Sequence, residues 1–169
     1  MRPFLLICAG VLLVVLEITV SPFAAVQGAR PDLVCAFVVI VGMLLGWKDA
    51  AVVGLVVGFV EDACSGQFLG LFMLVRAVVG MGAGLSYAKV FHDRIVVPVA
   101  MVFLGAVATG LMESFLLSSF GVPLGFSLAS SRMVLAQAVY SAVLAPVFPK
   151  LVTWLDLSAR RASERRQAV

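Results

Sequence analysis

The sequence predicts an all-α integral membrane protein, built as a compact bundle of six transmembrane helices. Of its 169 residues, 63% are hydrophobic and 12% are charged, whereas soluble domains carry roughly 25% charged residues. The mean hydropathy of +1.15 agrees with this assignment. At roughly 20 residues per span with short connections, about six helices fit into the chain, and no polar stretch is long enough for a soluble domain.

Six apolar segments separated by polar or Gly/Pro-containing breaks are the predicted spans, within a transmembrane domain of residues 1–157. Ser21-Pro22 is expected to end the first span, and residues 47–49 are expected to form an interfacial turn before the third. Pro146 and Pro149 are expected to kink the last span. Residues 158–169 form a basic tail. The predicted spans cover about 3–20, 33–46, 50–62, 68–89, 95–120 and 133–155.

The distribution of lysine and arginine predicts the orientation. With the N-terminus inside, eight of the 12 basic residues fall on the inner side and two, Arg30 and Arg132, on the outer side. Arg76 lies within a span, and Lys150 can extend its side chain from near the inner end of the last one. This bias predicts an even number of spans with both termini cytoplasmic. No small-residue cleavage site follows the first apolar segment, so we interpret it as a retained span.

Glycine spacing predicts how the helices pack. Small residues four apart let helix backbones approach closely in membranes. Most of these pairs lie in the second, third and fourth spans, which we therefore expect to form the tight centre of the bundle. The five pairs are Gly42/Gly46, Gly54/Gly58, Gly66/Gly70, Gly80/Gly84 and Gly121/Gly125.

Charged residues within the predicted spans indicate a polar centre in the outer half of the bilayer. At 1.5 Å per residue, Arg76 lies roughly 12 Å deep and Glu113 roughly 10 Å deep, with Glu17 and Asp62 nearer the surface. An isolated charge at such depth is costly, so we expect Arg76 to pair with Glu113. Three interpretations remain open: an ion pair that fixes helix register, an outward-opening pocket for a ligand or a partner's polar group, and a proton or ion relay. Gln137, Tyr140 and Ser141 are the other candidates to line a cavity.

Catalytic, cofactor and metal motifs are not found in the sequence, so an enzyme is not expected. The three cysteines are not paired as CxxC, and the one histidine, His92, lies in a short charged loop. Glu61 and Asp62 are adjacent, but neighbours on a helix diverge by about 100° and do not converge on one substrate atom.

The stretch from Gly58 to Gly70 joins the third and fourth spans. Asp62 is expected to cap backbone N–H groups of the turn through Ser65 and Gly66 or of the next helix, where the helix dipole favours an acid. We expect Asp62→Asn to be mild, on the order of 1 kcal/mol. Gly66 and Gly70 are expected to be places of close backbone approach.

These residues resemble the bacterial rod shape-determining protein MreD family over most of the chain. The resemblance rests on Arg30-Pro31-Asp32-Leu33 at the start of the second span and on the proline-bearing last span with its basic tail. It rests further on Gly54, Gly58, Asp62, Ser65, Gly66 and Gly70, in that order and spacing, between the third and fourth spans. Glu61, Arg76 and Glu113 are departures from that pattern.

The resemblance implies a non-enzymatic inner-membrane scaffold of the cell-wall elongation machinery, which determines rod shape by binding an MreC-like single-span protein. The actin-like MreB and the RodA–penicillin-binding-protein synthase are further implied partners, alongside membrane lipid. The family is also similar in fold to the substrate-binding subunits of energy-coupling-factor transporters, which gives the alternative function of vitamin-like small-molecule capture. The predicted outer loops hold few aromatic or hydrogen-bonding residues, which favours partner binding.

Overall fold

The structure, a computed structural model, describes residues 2–24, 31–66, 70–87, 96–119 and 128–167. These residues form seven α-helices and one short 3-10 turn, Ala145–Val147. The helices are α1 (Arg2–Ala24), α2 (Leu33–Leu45), α3 (Trp47–Ser65), α4 (Leu71–Tyr87), α5 (Val96–Ser119), α6 (Leu128–Leu144) and α7 (Phe148–Gln167).

Helix α2 is the central element of the bundle. Every residue from Val34 to Met43 is buried, and the helix contacts each of the other six. A helix that is apolar on all faces lies either in a protein core or in a membrane, and α2 is enclosed by its neighbours. The buried hydrophobic core therefore forms around α2, with Phe37 and Ile40 among its largest enclosed side chains.

Helices α3 and α4 make the most extensive contact in the molecule, followed by α2 with α4. Glycine permits this proximity. A Cβ atom on Gly58 would lie 2.6 Å from the Cα of Met73, and one on Gly54 would lie 2.8 Å from the carbonyl oxygen of Arg76. The backbones of the two helices thus touch directly, as the glycine spacing predicts for this part of the chain.

The last helical segment is interrupted where the prolines predict a kink. Helix α6 ends at Leu144, a 3-10 turn contains Pro146, and α7 starts at Phe148. Proline cannot donate the backbone hydrogen bond of an α-helix, and a tighter turn accommodates the loss. The chain then continues as α7 to Gln167, so much of the expected tail is helical.

Several observed helices extend beyond the predicted segments. Helix α1 runs past Pro22 to Ala24, so Ser21-Pro22 does not end it. Helix α3 begins at Trp47 directly after Gly46, so residues 47–49 are its first turn and not a separate interfacial turn. Helix α6 begins at Leu128, five residues before the expected start.

Two helical stretches are long and apolar enough to cross a membrane by length and composition, Val96–Ser119 and Arg132–Ala159. Three shorter apolar helices accompany them in the described part of the chain, Phe4–Val20, Leu33–Leu45 and Leu71–Ser86.

Candidate functional site

Arg76, on α4, is the centre of a charged network that joins three helices. Its Nε and Nη2 atoms donate to the two carboxylate oxygens of Glu61 on α3, at 3.0 and 2.8 Å. Its Nη1 atom donates to Oδ2 of Asp32 at 2.6 Å. The guanidinium also lies 5.9 Å from the ring centroid of Phe72. Bidentate pairing of this kind fixes both the position and the orientation of the two partners.

Asp32 links this network to the start of α2. Its side chain accepts a hydrogen bond from the backbone N–H of Cys35 at 2.7 Å, which is the arrangement of a helix N-cap. Its own backbone N–H donates to the hydroxyl of Ser141 at 2.9 Å. Asp32 is 2% exposed, and both of its carboxylate oxygens are bonded. One aspartate thus holds α2, α4 and α6 together.

A second polar contact lies close by in the core. The sulfur of Cys35 and the hydroxyl of Thr109 on α5 are 3.4 Å apart, and both residues are buried. Within the described part of the chain, every buried side-chain nitrogen and oxygen has a hydrogen-bond partner. The enclosed polar atoms of Arg76, Asp32 and Cys35 are therefore all paired, as a low-dielectric environment requires.

Asp62, one residue after Glu61, has a different role. Its Oδ2 accepts the backbone N–H groups of Gly70 and Met73, at 2.9 and 3.1 Å, and its Oδ1 accepts that of Phe72 at 2.9 Å. These donors are the first backbone groups of α4, which have no partner within the helix. Asp62 thus ties the end of α3 to the start of α4, the second of the two expected capping modes.

A cavity of about 460 Å³ opens beside Arg76. It lies at the end of the bundle where α1, α3 and α5 finish and where α2, α4 and α6 begin. We call it the Arg76 cavity. The exposed residues Ile18, Cys64, Ser65 and Met133 line it, so it opens to the outside among α1, α3 and α6. Its charged and amide side chains are Glu17, Asp32, Glu61, Arg76, Glu113 and Gln137.

The two remaining glutamates of the cavity make few contacts. Glu17 accepts one hydrogen bond from the backbone N–H of Val34, at 3.0 Å. Glu113 is partly buried and has no hydrogen bond or ion pair with any described residue. Its predicted ion pair with Arg76 is therefore wrong: within the described residues Arg76 pairs instead with Asp32 and Glu61, which accept three of its five N–H donors.

The candidate residues from the sequence divide into two groups in the structure. Asp32, Arg76, Glu17 and Glu113 meet at the Arg76 cavity, and Ser65 also lines it. Gly54, Gly58 and Asp62 lie instead in the α3–α4 contact, and Pro31 is buried next to Asp32. Arg30 lies outside the described residues. Of the further candidates on α6, Gln137 lines the cavity and Ser141 bonds Asp32.

Gly66 and Gly70 are needed for their backbone conformation and not for close approach of another helix. A Cβ atom on either would meet nothing within 4 Å, so the expectation of tight packing there is wrong. Their φ angles are +65° and +99°, which side chains other than glycine rarely adopt. Both glycines are therefore required by the backbone path between α3 and α4.

The pairing of Arg76 with Glu61 was not predicted from the sequence, although the spacing of the two residues from the turn between α3 and α4 indicates it. Helices α3 and α4 form an antiparallel hairpin around residues 66–70. Glu61 lies five residues before Gly66, and Arg76 lies six residues after Gly70. Residues at similar distances from a hairpin turn stand at the same height, because each residue rises 1.5 Å. This relation places Glu61 opposite Arg76.

The arrangement is suited to holding helices and receiving a polar group. No group of three or more histidine, cysteine, aspartate or glutamate side chains in the described ranges is placed to hold a metal ion. The polar residues form one network anchored on a buried arginine, open on one side to a cavity.

The helical bundle, its apolar surface and its enclosed polar centre define an α-helical membrane protein. A family model described as "rod shape-determining protein MreD" matches residues 1–155. The chain belongs to the MreD family, a membrane protein family of the MreBCD shape-determining system. No curated protein and no solved structure matches the chain.

Proposed function

We propose that this chain is a non-enzymatic scaffold of the cell-wall elongation machinery, located in the bacterial inner membrane, that binds an MreC-like single-span protein. The observation that carries the proposal is the family match over residues 1–155, which gives a role in rod shape determination. The RodA–penicillin-binding-protein synthase and MreB are proposed as further members of the same assembly.

The architecture supports a binding role. Arg76, Asp32 and Glu61 lock three helices together, and the glycine contact of α3 with α4 brings two backbones into touch. Such a bundle presents a fixed surface, which lowers the ordering cost of binding a partner. The Arg76 cavity, lined by Glu17, Asp32, Glu61, Arg76 and Glu113, is a charged opening in that surface.

We further propose a topology of six spans with both termini cytoplasmic, in one transmembrane domain of residues 1–157 followed by a basic tail. The lysine and arginine bias supports this orientation. The Arg76 cavity then opens toward the periplasmic side, where the soluble domain of an MreC-like partner lies.

The test is co-purification of the MreC-like partner from membranes of the native host. We expect the partner to be recovered with the wild-type chain. A Gly58→Val variant, which disrupts the α3–α4 contact, should recover much less at matched membrane levels. Gly82→Val is the matched control, since a Cβ at Gly82 meets nothing within 4 Å. Equal recovery by wild type and by an unrelated six-span protein would contradict the proposal.

One observation favours a second function, capture of a vitamin-like small molecule by a subunit of the energy-coupling-factor type. The Arg76 cavity, at about 460 Å³, falls within the roughly 300–1,000 Å³ typical of ligand pockets. Mass spectrometry of small molecules released from the purified chain distinguishes the two functions. A stoichiometric bound metabolite would favour capture, and a stoichiometric protein partner favours the scaffold.

A further inference from the structure

We propose that the Arg76 cavity receives a cationic side chain, the ammonium of a lysine or the guanidinium of an arginine, from a membrane protein partner. Glu17 and Glu113 are its counter-charges. This inference rests on the proposed function and specifies which chemical group of a partner this end of the bundle accepts.

The first argument is the balance of charge. In the part of the chain that the structure describes, four carboxylates and one guanidinium line the cavity. Asp32 and Glu61 are both bonded to Arg76. Glu17 has a single backbone N–H donor, and Glu113 has no partner among the described residues. Two carboxylates with unused acceptor positions therefore face a shared space, and a group with several N–H donors would satisfy both.

The second argument is that the cavity has no free cation for an anionic ligand. Among the described residues, Arg76 is the only cationic side chain that lines it, and its side chain is 2% exposed. Its Nε, Nη1 and Nη2 atoms each already donate to a carboxylate. A phosphate or carboxylate would therefore meet a guanidinium whose charge is already balanced by Asp32 and Glu61.

The third argument is the shape and the wall of the cavity. Val14, Ile18, Val34 and Met133 line it together with the charged groups. Lysine and arginine have the matching structure, a chain of methylene groups that packs on apolar surface and a charged tip. The exposed lining residues on α1, α3 and α6 let such a side chain enter from a helix or loop that lies against this end of the bundle.

A protein side chain fits the cavity better than a lipid amine does. An aminated phospholipid carries a phosphate close to its amine, and the same carboxylates that attract the amine repel the phosphate. A lysine or arginine of a partner has no such anion, and its entry would fix the register of the partner against the bundle. Charge pairs of this kind mainly set specificity between partners.

The first arm of the test uses defined probes on the purified full chain in phosphatidylcholine nanodiscs. Octylguanidinium and octanoate share an apolar chain and carry opposite charges. We expect saturable binding of octylguanidinium and none of octanoate. The Glu17→Gln/Glu113→Gln variant keeps the side-chain shapes and should bind octylguanidinium on the order of tenfold more weakly. Asp49→Asn, at the opposite end of α3, should bind like wild type.

The second arm locates the partner group in native membranes. A photoreactive amino acid replaces Met133 and is cross-linked to whatever lies beside it, and the cross-linked peptide is identified by mass spectrometry. We expect a segment of the MreC-like partner that contains a lysine or arginine. Replacing that residue of the partner by glutamine should reduce the cross-link as strongly as the Glu17→Gln/Glu113→Gln variant does, while both proteins stay at wild-type levels in the membrane.

Several results would overturn the inference. If octanoate bound as well as octylguanidinium does, the cavity would have no preference for a cation. A spermidine-like amine or a lipid found in the cavity would show a different occupant. Normal recovery of the partner by the Glu17→Gln/Glu113→Gln variant would reject the inference and leave the proposed function intact. Failure of the wild-type chain to recover the partner, with octylguanidinium still bound, would reject the proposed function and the protein partner together.

Discussion

At the scale of single residues, Arg76 determines the arrangement of the polar centre. A buried cation is tolerated in a bundle only when counter-charges and hydrogen bonds surround it. Glu61 supplies a bidentate contact and Asp32 a third bond, and each of these acids is itself positioned by the start or the end of a helix. The charged network and the helix ends therefore stabilise one another.

Removing Arg76 should be strongly destabilising. Arg76→Ala leaves two acids without their cation, and breaking a buried pair costs about 3–5 kcal/mol. Arg76→Lys keeps the charge but loses the bidentate geometry, so it should fall between alanine and wild type. The measurement is the free energy of unfolding in detergent micelles. Lys150→Ala, at an exposed position, is the control and should change it little. An unchanged free energy in Arg76→Ala would contradict the described network.

The contacts of Asp62 increase the loss in the free energy of unfolding that we expect from Asp62→Asn. Three backbone N–H groups converge on its two oxygens. Asparagine offers one acceptor oxygen, and its NH₂ group would face a donor. We therefore expect Asp62→Asn to lower the free energy of unfolding by about 2 kcal/mol, more than the mild effect the sequence suggests. Asp49→Asn, on the same helix, serves as the control. A loss below about 0.5 kcal/mol would show that the cap is not used.

At the scale of helices, the contact of α3 with α4 depends on the absence of side chains at specific positions. Gly58→Ala places a methyl group 2.6 Å from the backbone of Met73, which must move. We expect a loss of about 1–3 kcal/mol in the free energy of unfolding. Gly82→Ala, on α4 with open space around it, should be neutral or stabilising by up to about 1 kcal/mol. Equal effects of the two variants would argue against direct backbone contact.

The same pair of helices separates what the sequence can predict from what it cannot. Glycine spacing predicts the tight α3–α4 centre, because a stripe of small residues recurs at helical period. It does not distinguish Gly58, which packs on a backbone, from Gly66, whose requirement is a φ of +65°. The repeat of glycines along a sequence indicates which face of a helix can pack closely. The φ angle of a turn residue depends instead on where the two helices that it joins are placed.

The polar site was predictable in composition but not in pairing. The positions of Glu17, Arg76 and Glu113 along the chain place all three in the outer half of the bilayer, and all three line one cavity. Depth alone does not say which acid Arg76 contacts, because that depends on the rotation of α3 and α4 about their axes. Asp32 enters the network through its position as the N-cap of α2, a tertiary consequence of where that helix begins.

At the scale of the whole molecule, the proposed orientation places the Arg76 cavity and the C-terminal tail on opposite sides of the membrane. Cys64 is exposed and lines the cavity. In intact cells, a membrane-impermeant maleimide should label a Cys8→Ala/Cys35→Ala variant at Cys64. A Ser163→Cys variant that also carries Cys8→Ala, Cys35→Ala and Cys64→Ser should be labelled only after the membrane is disrupted. Labelling of position 163 in intact cells would reject the topology.

Under the proposed function and the further inference, the chain supports rod shape by binding a partner through the charged end of its bundle. The most direct measurement is cell shape in the native host, with the chromosomal copy depleted and variants supplied at matched membrane levels. We predict rods with the wild-type chain and with Asp49→Asn, and rounded cells with Glu17→Gln/Glu113→Gln. Rods supported by the Glu17→Gln/Glu113→Gln variant, or rounded cells with the wild-type chain, would contradict the account.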